Sequence, residues 1–340
     1  MDRTQVTYQR DVSHCAVSTY VRDVTIASVV PAVNSDNLDS ITFEESGWTA
    51  IAKRGMHKPG DVVYFIPPES ILPMELADAL EINSYLSKGR VRIANLRGNR
   101  SEGLIVSKPK VEPYLDTILQ WEDIPSAGMT GRAMPVAEIP SIAFAHYPKM
   151  PNLLNEVDRF NLGESVWVSE KIHGTSVRFG RHNNPGTGEP ALYVGSLNDV
   201  FYEDEKSVYW IAVRKHVNED ALPLGVTFYG EVYGKKIQDL HYDSVAGLKV
   251  FAGYREGGFI SGLELEELCG KFSIPVVKFL AMTYEGIETA RMWADSPSTM
   301  TASHVREGIV ITSAAAGLYK AAKVIGTPYL TRKGQRLERH

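Results

Sequence analysis

Only two cysteines, Cys15 and Cys269, occur in 340 residues. They are too few and too far apart for a disulfide framework or a thiolate zinc centre, and their scarcity points to a reducing, cytoplasmic compartment. Long apolar runs are missing as well: no stretch approaches the ~18 residues that suggest a membrane span. The opening residues, MDRTQVTYQRDVSH, are polar and lack the apolar centre of a secretory leader. Internal repeats and low-complexity tracts are absent. Positive charge is not in surplus either, and a net charge of −5 argues against a large, uniformly basic nucleic-acid surface. A local basic groove stays open, because 36 lysines and arginines are present and binding depends on where they lie.

What remains is a chain with 44% hydrophobic and 23% charged residues, ordinary for a globular protein and long enough for two domains. Residues 17–107 read as β-rich. VRDVTIASVV is a strand, DSITFEESGWTAIAKRG a hairpin turned at Ser46-Gly47, and GDVVYFIPPESILP a strand closed by Pro67-Pro68. GRVRIANLRGNRSEGLIVS is a second hairpin around Gly98–Gly103. Five short strands with glycine turns suggest a small barrel over residues 1–110. Residues 111–150 hold a short helix and then a Pro-, Gly- and Ala-rich connection without periodicity. From 151 to 340 longer antiparallel strands alternate with helices, of which YEDEKSVYWIAVRKHV is amphipathic with Val208, Ile211 and Ala212 on one side. The pattern as a whole indicates an α+β protein.

One stretch raises a chemical question. SEKIHGTSV (169–177) follows a short apolar strand, presents Glu170-Lys171, turns at His173-Gly174 and leaves as another strand. Alone it reads as a hairpin with a solvated lysine, or as a lysine held for nucleophilic work. Other charges interrupt the later strands: Glu231 in TFYGEVYG, Glu307 before GIVIT, Lys320 and Lys323 in YKAAKVIG. Each alone reads as a solvated strand end. If their strands share a sheet, they converge on a cleft suited to an anionic phosphate compound and a divalent metal. A nucleophilic lysine must be neutral, whereas its ordinary pKa is ~10.4. Bringing it down to ~7.4 costs roughly 4 kcal/mol, a bias that a metal ion or a second lysine supplies.

The ordered set EKIHGTS, FYGEVYG, LKVFAGYR, EGIVI and AAKV resembles the motifs of covalent nucleotidyltransferases, the ATP-dependent polynucleotide ligases and capping enzymes. The K-x-H-G-T form is most similar to RNA ligases. PAVNSDNLDSITFEESGWTAIAKRGMHKPGDVVYFIPPESILP and LRGNRSEGLIV resemble the N-terminal OB domain of RNA ligases of a radiation-resistant bacterium and some protists. Those enzymes place the OB module before the catalytic domain. With 17 residues after Lys323, the domain order here matches theirs rather than that of DNA ligases or capping enzymes.

The resemblance implies an OB-like β-barrel followed by an adenylyltransferase domain, ATP-grasp-like, with mostly antiparallel sheets and helices. It implies a monomeric enzyme that uses ATP and Mg²⁺ or Mn²⁺ to join RNA 3′-OH and 5′-phosphate ends, in a nicked duplex or otherwise. By that resemblance Lys171 is the nucleophile, and Glu231 and Glu307 bind metal or ribose. Phe251 stacks on adenine, Glu170 accepts from the adenine amino group, and Lys320 and Lys323 contact the α-phosphate. Ile172, His173, Gly174 and Ser176 complete the nucleotide loop, in which Gly174 permits a close turn. Lys53, Arg54, Arg97 and Arg100 at the barrel's turns, with Arg178, are candidates for RNA phosphates. Three positions depart from the family's pattern. Ser176 stands where asparagine is common. Leu197 stands where an arginine is usual, with Arg178 or Arg181 as its candidate substitute. Ala321 interrupts the usual K-x-K. A DNA ligase, a capping enzyme or a non-catalytic RNA-binding protein with a decayed site are the competing readings.

Overall fold

The computed structural model describes residues 21–87, 89–120, 132–140, 144, 146–255, 258–315 and 319–332. Cys15, the polar opening residues and part of the expected connection lie outside them. The chain divides into two compact units, residues 1–124 and 125–340. No helix among the described residues is long and apolar enough to cross a membrane.

The first unit is built on an antiparallel five-stranded sheet, in the order β3-β2-β1-β4-β8. Its strands are β1 (Arg22–Pro31), β2 (Leu38–Phe43), β3 (Thr49–Lys53), β4 (Val62–Ile66) and β8 (Leu104–Val106). Alternation drives it: Val24, Ile26, Ile41, Phe43 and Ala50 are buried while their strand neighbours are more exposed, and in β4 Val63 and Phe65 alternate with Tyr64 before the buried Ile66. Glu102 and Ser101 bring the sheet's ends together. The Glu102 N–H donates to the Thr49 carbonyl (2.8 Å), its carboxylate accepts from the Thr49 N–H, and the Ser101 hydroxyl accepts from the Ile51 N–H (3.1 Å). The sheet is therefore nearly closed, as a small barrel requires. Short pairs complete the unit: β5 (Ser70–Ile71) with β9 (Leu119–Gln120), and β6 (Ala94–Leu96) with β7 (Asn99–Ser101). Helices α1 (Met74–Ala79) and α2 (Lys108–Val111) lie between them in sequence. Val111 and Ile118 belong to this unit's core, so the first part of the expected connection is packed structure.

The second unit has two antiparallel sheets. One is β17-β10-β18-β19: β10 (Ser165–Lys171), β17 (Leu280–Thr283), β18 (Gly308–Ser313) and β19 (Ala321–Ile325). The other is β13-β12-β11-β14-β15-β16. It contains β11 (Thr175–Asn183), β12 (Pro190–Gly195), β13 (Val200–Phe201), β14 (Val226–Tyr233), β15 (Gly247–Arg255) and β16 (Gly258–Ile260). Helices α3 (Val208–His216), α4 (Gly262–Lys271), α5 (Ile287–Asp295) and the short α6 (Thr327–Thr331) complete it. In α3 the inward residues are Tyr209, Trp210, Ala212 and Val213, whereas Ile211 is exposed. The aromatic pair outweighs isoleucine for the buried face, which corrects the expected stripe of Val208, Ile211 and Ala212.

Candidate active site

The hairpin reading of 169–177 fails. β10 pairs with β17 and β18, while β11 pairs with β12 and β14. The chain crosses from one sheet to the other through Ile172, His173 and Gly174. A Cβ on Gly174 would sit 2.2 Å from the Val232 carbonyl oxygen, so glycine alone lets the crossing pass this close to β14. Lys171 thus stands at the end of one sheet and Ser176 at the start of the other.

Register brings the charged residues together. Lys171 pairs with Gly308 across β10 and β18, so Glu307 lies beside it, and the Lys171 ammonium donates to Glu307 Oε1 (2.8 Å). On the other sheet Ser176 pairs with Glu231, and its hydroxyl donates to the Glu231 carboxylate (3.3 Å). Burial, the first influence on Glu231, pushes its carboxyl up to about 7; the charge of Lys171 opposes this and Glu307 reinforces it. Glu307 is held well below the carboxylate range: burial opposes ionisation, but Lys171 and His173 outweigh it. For Lys171 burial favours the neutral amine, yet Glu307 and Glu231 raise its pKa above the usual lysine value. The two carboxylates therefore hold the lysine as an ammonium, against the lowered pKa that nucleophilic work needs and that a metal ion or a second lysine is expected to supply.

Two buried carboxylates crowded together fit a divalent cation. Their repulsion adds to the lift of Glu231, and Glu307 Oε2 is shielded from water with the His173 ring 3.3 Å away and no closer hydrogen bond among the described residues. A cation held by Glu231 and Glu307 would also weaken the two charges that keep Lys171 protonated.

His173 is the mechanical centre of the crossing. Its ring bonds Asp239 Oδ1 through Nε2 (2.7 Å), and its Nδ1 lies 3.1 Å from the Tyr329 hydroxyl and 3.3 Å from Glu307 Oε2. Its backbone N–H donates to the Tyr242 hydroxyl oxygen (2.9 Å). Arg332 in turn donates to both oxygens of Asp239. Burial lowers the His173 pKa, but the Asp239 and Glu307 partners more than compensate. Burial likewise opposes ionisation of Asp239, while the His173 hydrogen bond and the Arg332 charge pull its carboxyl down from 3.8 to about 2. Because the folded value is depressed, this contribution to stability is present above about pH 4 and is lost as pH falls towards 2. Asp239→Ala strands the Arg332 guanidinium and takes the partner from the His173 ring, and is expected to cost about 3 kcal/mol at pH 7, read by urea unfolding, with a smaller difference near pH 2. An equal loss at both pH values would refute the charge argument.

The strand β15 carries a bulge: Tyr229 faces Ala252 and Gly230 faces Val250, leaving Phe251 as the extra residue. Such a bulge re-aims a side chain. Phe251 lines a cleft with Tyr147, Ser176, Arg178, Leu197 and Tyr229. The Tyr147 ring meets Phe251 edge-on at 5.2 Å and its hydroxyl bonds that of Tyr319. Arg178 shares this cleft with Leu197, while Arg181 turns away to the Asp220 carbonyl. The Arg178 guanidinium is buried over the Phe144 ring at 5.1 Å, and its Nε has no hydrogen-bond partner among the described residues.

Two expected residues do not join. Glu170 points to the other side of β10, where its carboxylate accepts from Ser298, from both N–H and hydroxyl of Thr299, and pairs with Arg306 at 3.6 Å. Its side chain is satisfied by protein donors and is not available to an adenine amino group. Lys320 is ion-paired with Glu164 (2.6 Å) over the Phe160 ring. Lys320 lies just before β19 and is held by Glu164, away from Lys323, while Ala321 occupies the place on Lys323's face two residues earlier. Lys149 was not anticipated. Its segment runs beside Lys323, whose backbone N–H donates to the Pro151 carbonyl (2.9 Å); desolvation, then the charge of Lys323, lowers the pKa of this exposed lysine. Two neighbouring cations of this kind suit an anion. A lone lysine in a segment without periodicity carries no sequence signal.

In the first unit, Lys53, Arg54 and Arg97 are exposed. Arg54 also donates to the Ser35 carbonyl and pairs with Asp39, and Arg100 pairs with the buried Glu102, so both serve the barrel's own structure.

A family model described as RNA ligase matches residues 164–325, the segment that holds Lys171, Glu231, Phe251, Glu307 and Lys323. Residues 164–325 of this chain belong to the RNA ligase family. The fold extends the match beyond that segment. A Naegleria gruberi RNA ligase variant with AMP and Mn superposes with a TM-score of 0.76 at 20% identity, over 92% of this chain and 98% of that one. A second variant, with ATP and Mn, gives 0.78 at 20% identity, over 92% and 98%. The same ligase with PPi gives 0.74 at 21%, again over 92% and 98%. At such identity the likeness concerns the fold, and it covers the barrel-like unit as well as the ligase-family segment. No curated protein matches the chain.

Proposed function

We propose that this protein is an ATP-dependent RNA ligase that joins 3′-OH and 5′-phosphate RNA ends, in the repair of broken RNA. The observation that carries the reading is Lys171, fixed at the sheet crossing between Glu307 and Glu231. A solvated strand-end lysine has no use for two buried carboxylates.

The Lys171 amine attacks the α-phosphorus of ATP; the new N–P bond forms as the P–O bond to pyrophosphate breaks. The AMP then passes to an RNA 5′-phosphate oxygen, and the N–P bond breaks to restore the amine. Last, a 3′-OH attacks that 5′-phosphate and AMP leaves. A Mg²⁺ or Mn²⁺ ion held by Glu231 and Glu307 would supply charge neutralisation for the phosphates. Phe251, re-aimed by its bulge, stacks on the adenine, and Lys323 with Lys149 binds phosphate oxygens. Ser176 orients Glu231, and His173 with Ile172 and Gly174 holds the crossing in place. Arg178 takes the part that Leu197 cannot play. The first unit acts as an OB-like RNA-binding module, with Lys53 and Arg97 among its exposed basic side chains.

The test is joining. A 5′-phosphorylated, labelled RNA strand and a 3′-OH acceptor, in a nicked duplex and single-stranded, are incubated with ATP and Mg²⁺ or Mn²⁺. Phosphatase-resistant label in the longer strand is expected. Joining of DNA alone, or use of GTP in place of ATP, would replace this reading with the DNA ligase or capping alternative.

A further inference from the structure

On the segment between β14 and β15, and outside the catalytic set, His241 and Asp243 meet His304 from the segment before β18. One ligand atom from each of the three lies within 4.8 Å of the others. The backbone is bent to make this possible: Tyr242 and Asp243 are consecutive left-handed residues, with φ of 48° and 52°. Non-glycine residues rarely adopt that conformation, and here it folds the Asp243 carboxylate back towards the His241 ring, with His241 Nδ1 and Asp243 Oδ1 3.7 Å apart. Two ligands of one tetrahedral ion are roughly 3.4 Å apart, given bond lengths near 2.1 Å. The two imidazoles stand almost perpendicular with ring centres 4.9 Å apart. Ser303 donates to Asp243 Oδ2 (3.1 Å), an outer hydrogen bond of the sort that orients a ligating carboxylate.

A second observation is independent of that spacing. His304 Nε2 is shut off from water and has no hydrogen-bond partner among the described residues. A buried nitrogen left this way is costly unless something occupies it. Among the described residues the lone pair of His241 Nδ1 is contested by the Asp243 backbone N–H (3.1 Å). Two imidazoles and one carboxylate, with the His241 and Asp243 side chains 34% and 69% accessible, leave open positions for water on a bound ion. That donor set suits zinc and its first-row neighbours and is a poor match for Mg²⁺, which prefers oxygen.

We propose that His241, Asp243 and His304 bind one divalent transition-metal ion of the zinc type, which pins the segment before β15 to the segment before β18. The first of these segments supplies Asp239 and Tyr242 to His173. The second supplies Ser298, Thr299 and Arg306 to Glu170. An ion there ties together the two supports on either side of Lys171. The inference does not depend on the ligase reading.

The test is Zn²⁺ binding to the chelator-stripped full chain by calorimetry, in excess Mg²⁺, with Co²⁺ absorption as a second readout. One ion per chain and visible Co²⁺ bands of a nitrogen-ligated site are expected. His304→Gln, His241→Gln and Asp243→Asn should each weaken binding at least ~10-fold. Zn²⁺ should raise the melting temperature of the wild type and not of His304→Gln, while Glu231→Gln should bind Zn²⁺ like the wild type. Absence of a stoichiometric ion in the wild type would overturn the proposal. So would an ion lost in Glu231→Gln and kept in His304→Gln, which would place it at the catalytic carboxylates.

Discussion

Glu307→Gln is expected to lower the rate of lysine adenylylation at least ~100-fold, the scale on which one preorganised electrostatic partner acts in a site closed to water. Glutamine keeps the shape and removes the charge. It would remove one of the two carboxylates that would hold the metal, free the Lys171 side chain from its 2.8 Å acceptor and leave His173 without its second anion, losses that outweigh the larger amine fraction. Both Lys171 and Glu307 are held in their charged forms, so their mutual stabilisation spans the neutral range. Glu307, with a depressed value, contributes above the usual carboxylate pKa and fails only as pH falls through its folded value. Lys171, with a raised value, contributes below the usual lysine pKa and fails only as pH rises through its folded value. Wild-type adenylylation should therefore climb steadily from pH 6 to 9 as the small amine fraction grows, and the variant should be slow throughout. A single-turnover rate like that of the wild type would remove Glu307 from the account.

Gly174→Val is expected to be as severe, for a steric reason. The glycine's φ is not in the left-handed region; what it provides is room. An added Cβ would lie 2.2 Å from the Val232 carbonyl oxygen and 2.9 Å from Glu231 Cγ. Val232 is fully buried on an inner strand, so neither side yields cheaply. Overpacking of this kind costs about 1–3 kcal/mol, and here the displaced atoms belong to the site itself. Adenylylation should fall to background, with a lower melting temperature. Gly270→Ala is the control: it lies in α4 with nothing within 4 Å of its added Cβ, and should be neutral or slightly stabilising. Full activity in Gly174→Val would show that the crossing tolerates displacement.

Much of this arrangement was legible in the sequence because it is carried by short runs. The strand around Val166–Val168, the glycine after His173, and the acids in FYGEVYG and before GIVIT each sit where strand pairing brings them to one place. The errors follow from parity and partners. Glu170 and Lys171 are adjacent, and adjacent strand residues face opposite ways, so counting along the strand would have separated them. Lys320 lies just before β19 and is drawn off by Glu164, a partner 156 residues away that the sequence does not show. The direct pairing of Lys171 with Glu307 was not legible, because Glu307 is 136 residues away and its distance is set by register alone. Asp239, Tyr329 and Lys149 reach the site from loops and a short helix, where periodicity has nothing to say. The bulge at Phe251 likewise leaves no trace in LKVFAGYR.

The central claim is that Lys171 is the group that takes AMP. The most direct measurement incubates wild type and Lys171→Ala with [α-³²P]ATP and Mg²⁺ or Mn²⁺, resolves them on a denaturing gel, and maps the adenylylated peptide by mass spectrometry. The account predicts acid-labile label on the wild-type chain, AMP on the peptide containing Lys171, and none on the variant. Label that persists in Lys171→Ala, or maps to another lysine, would contradict it.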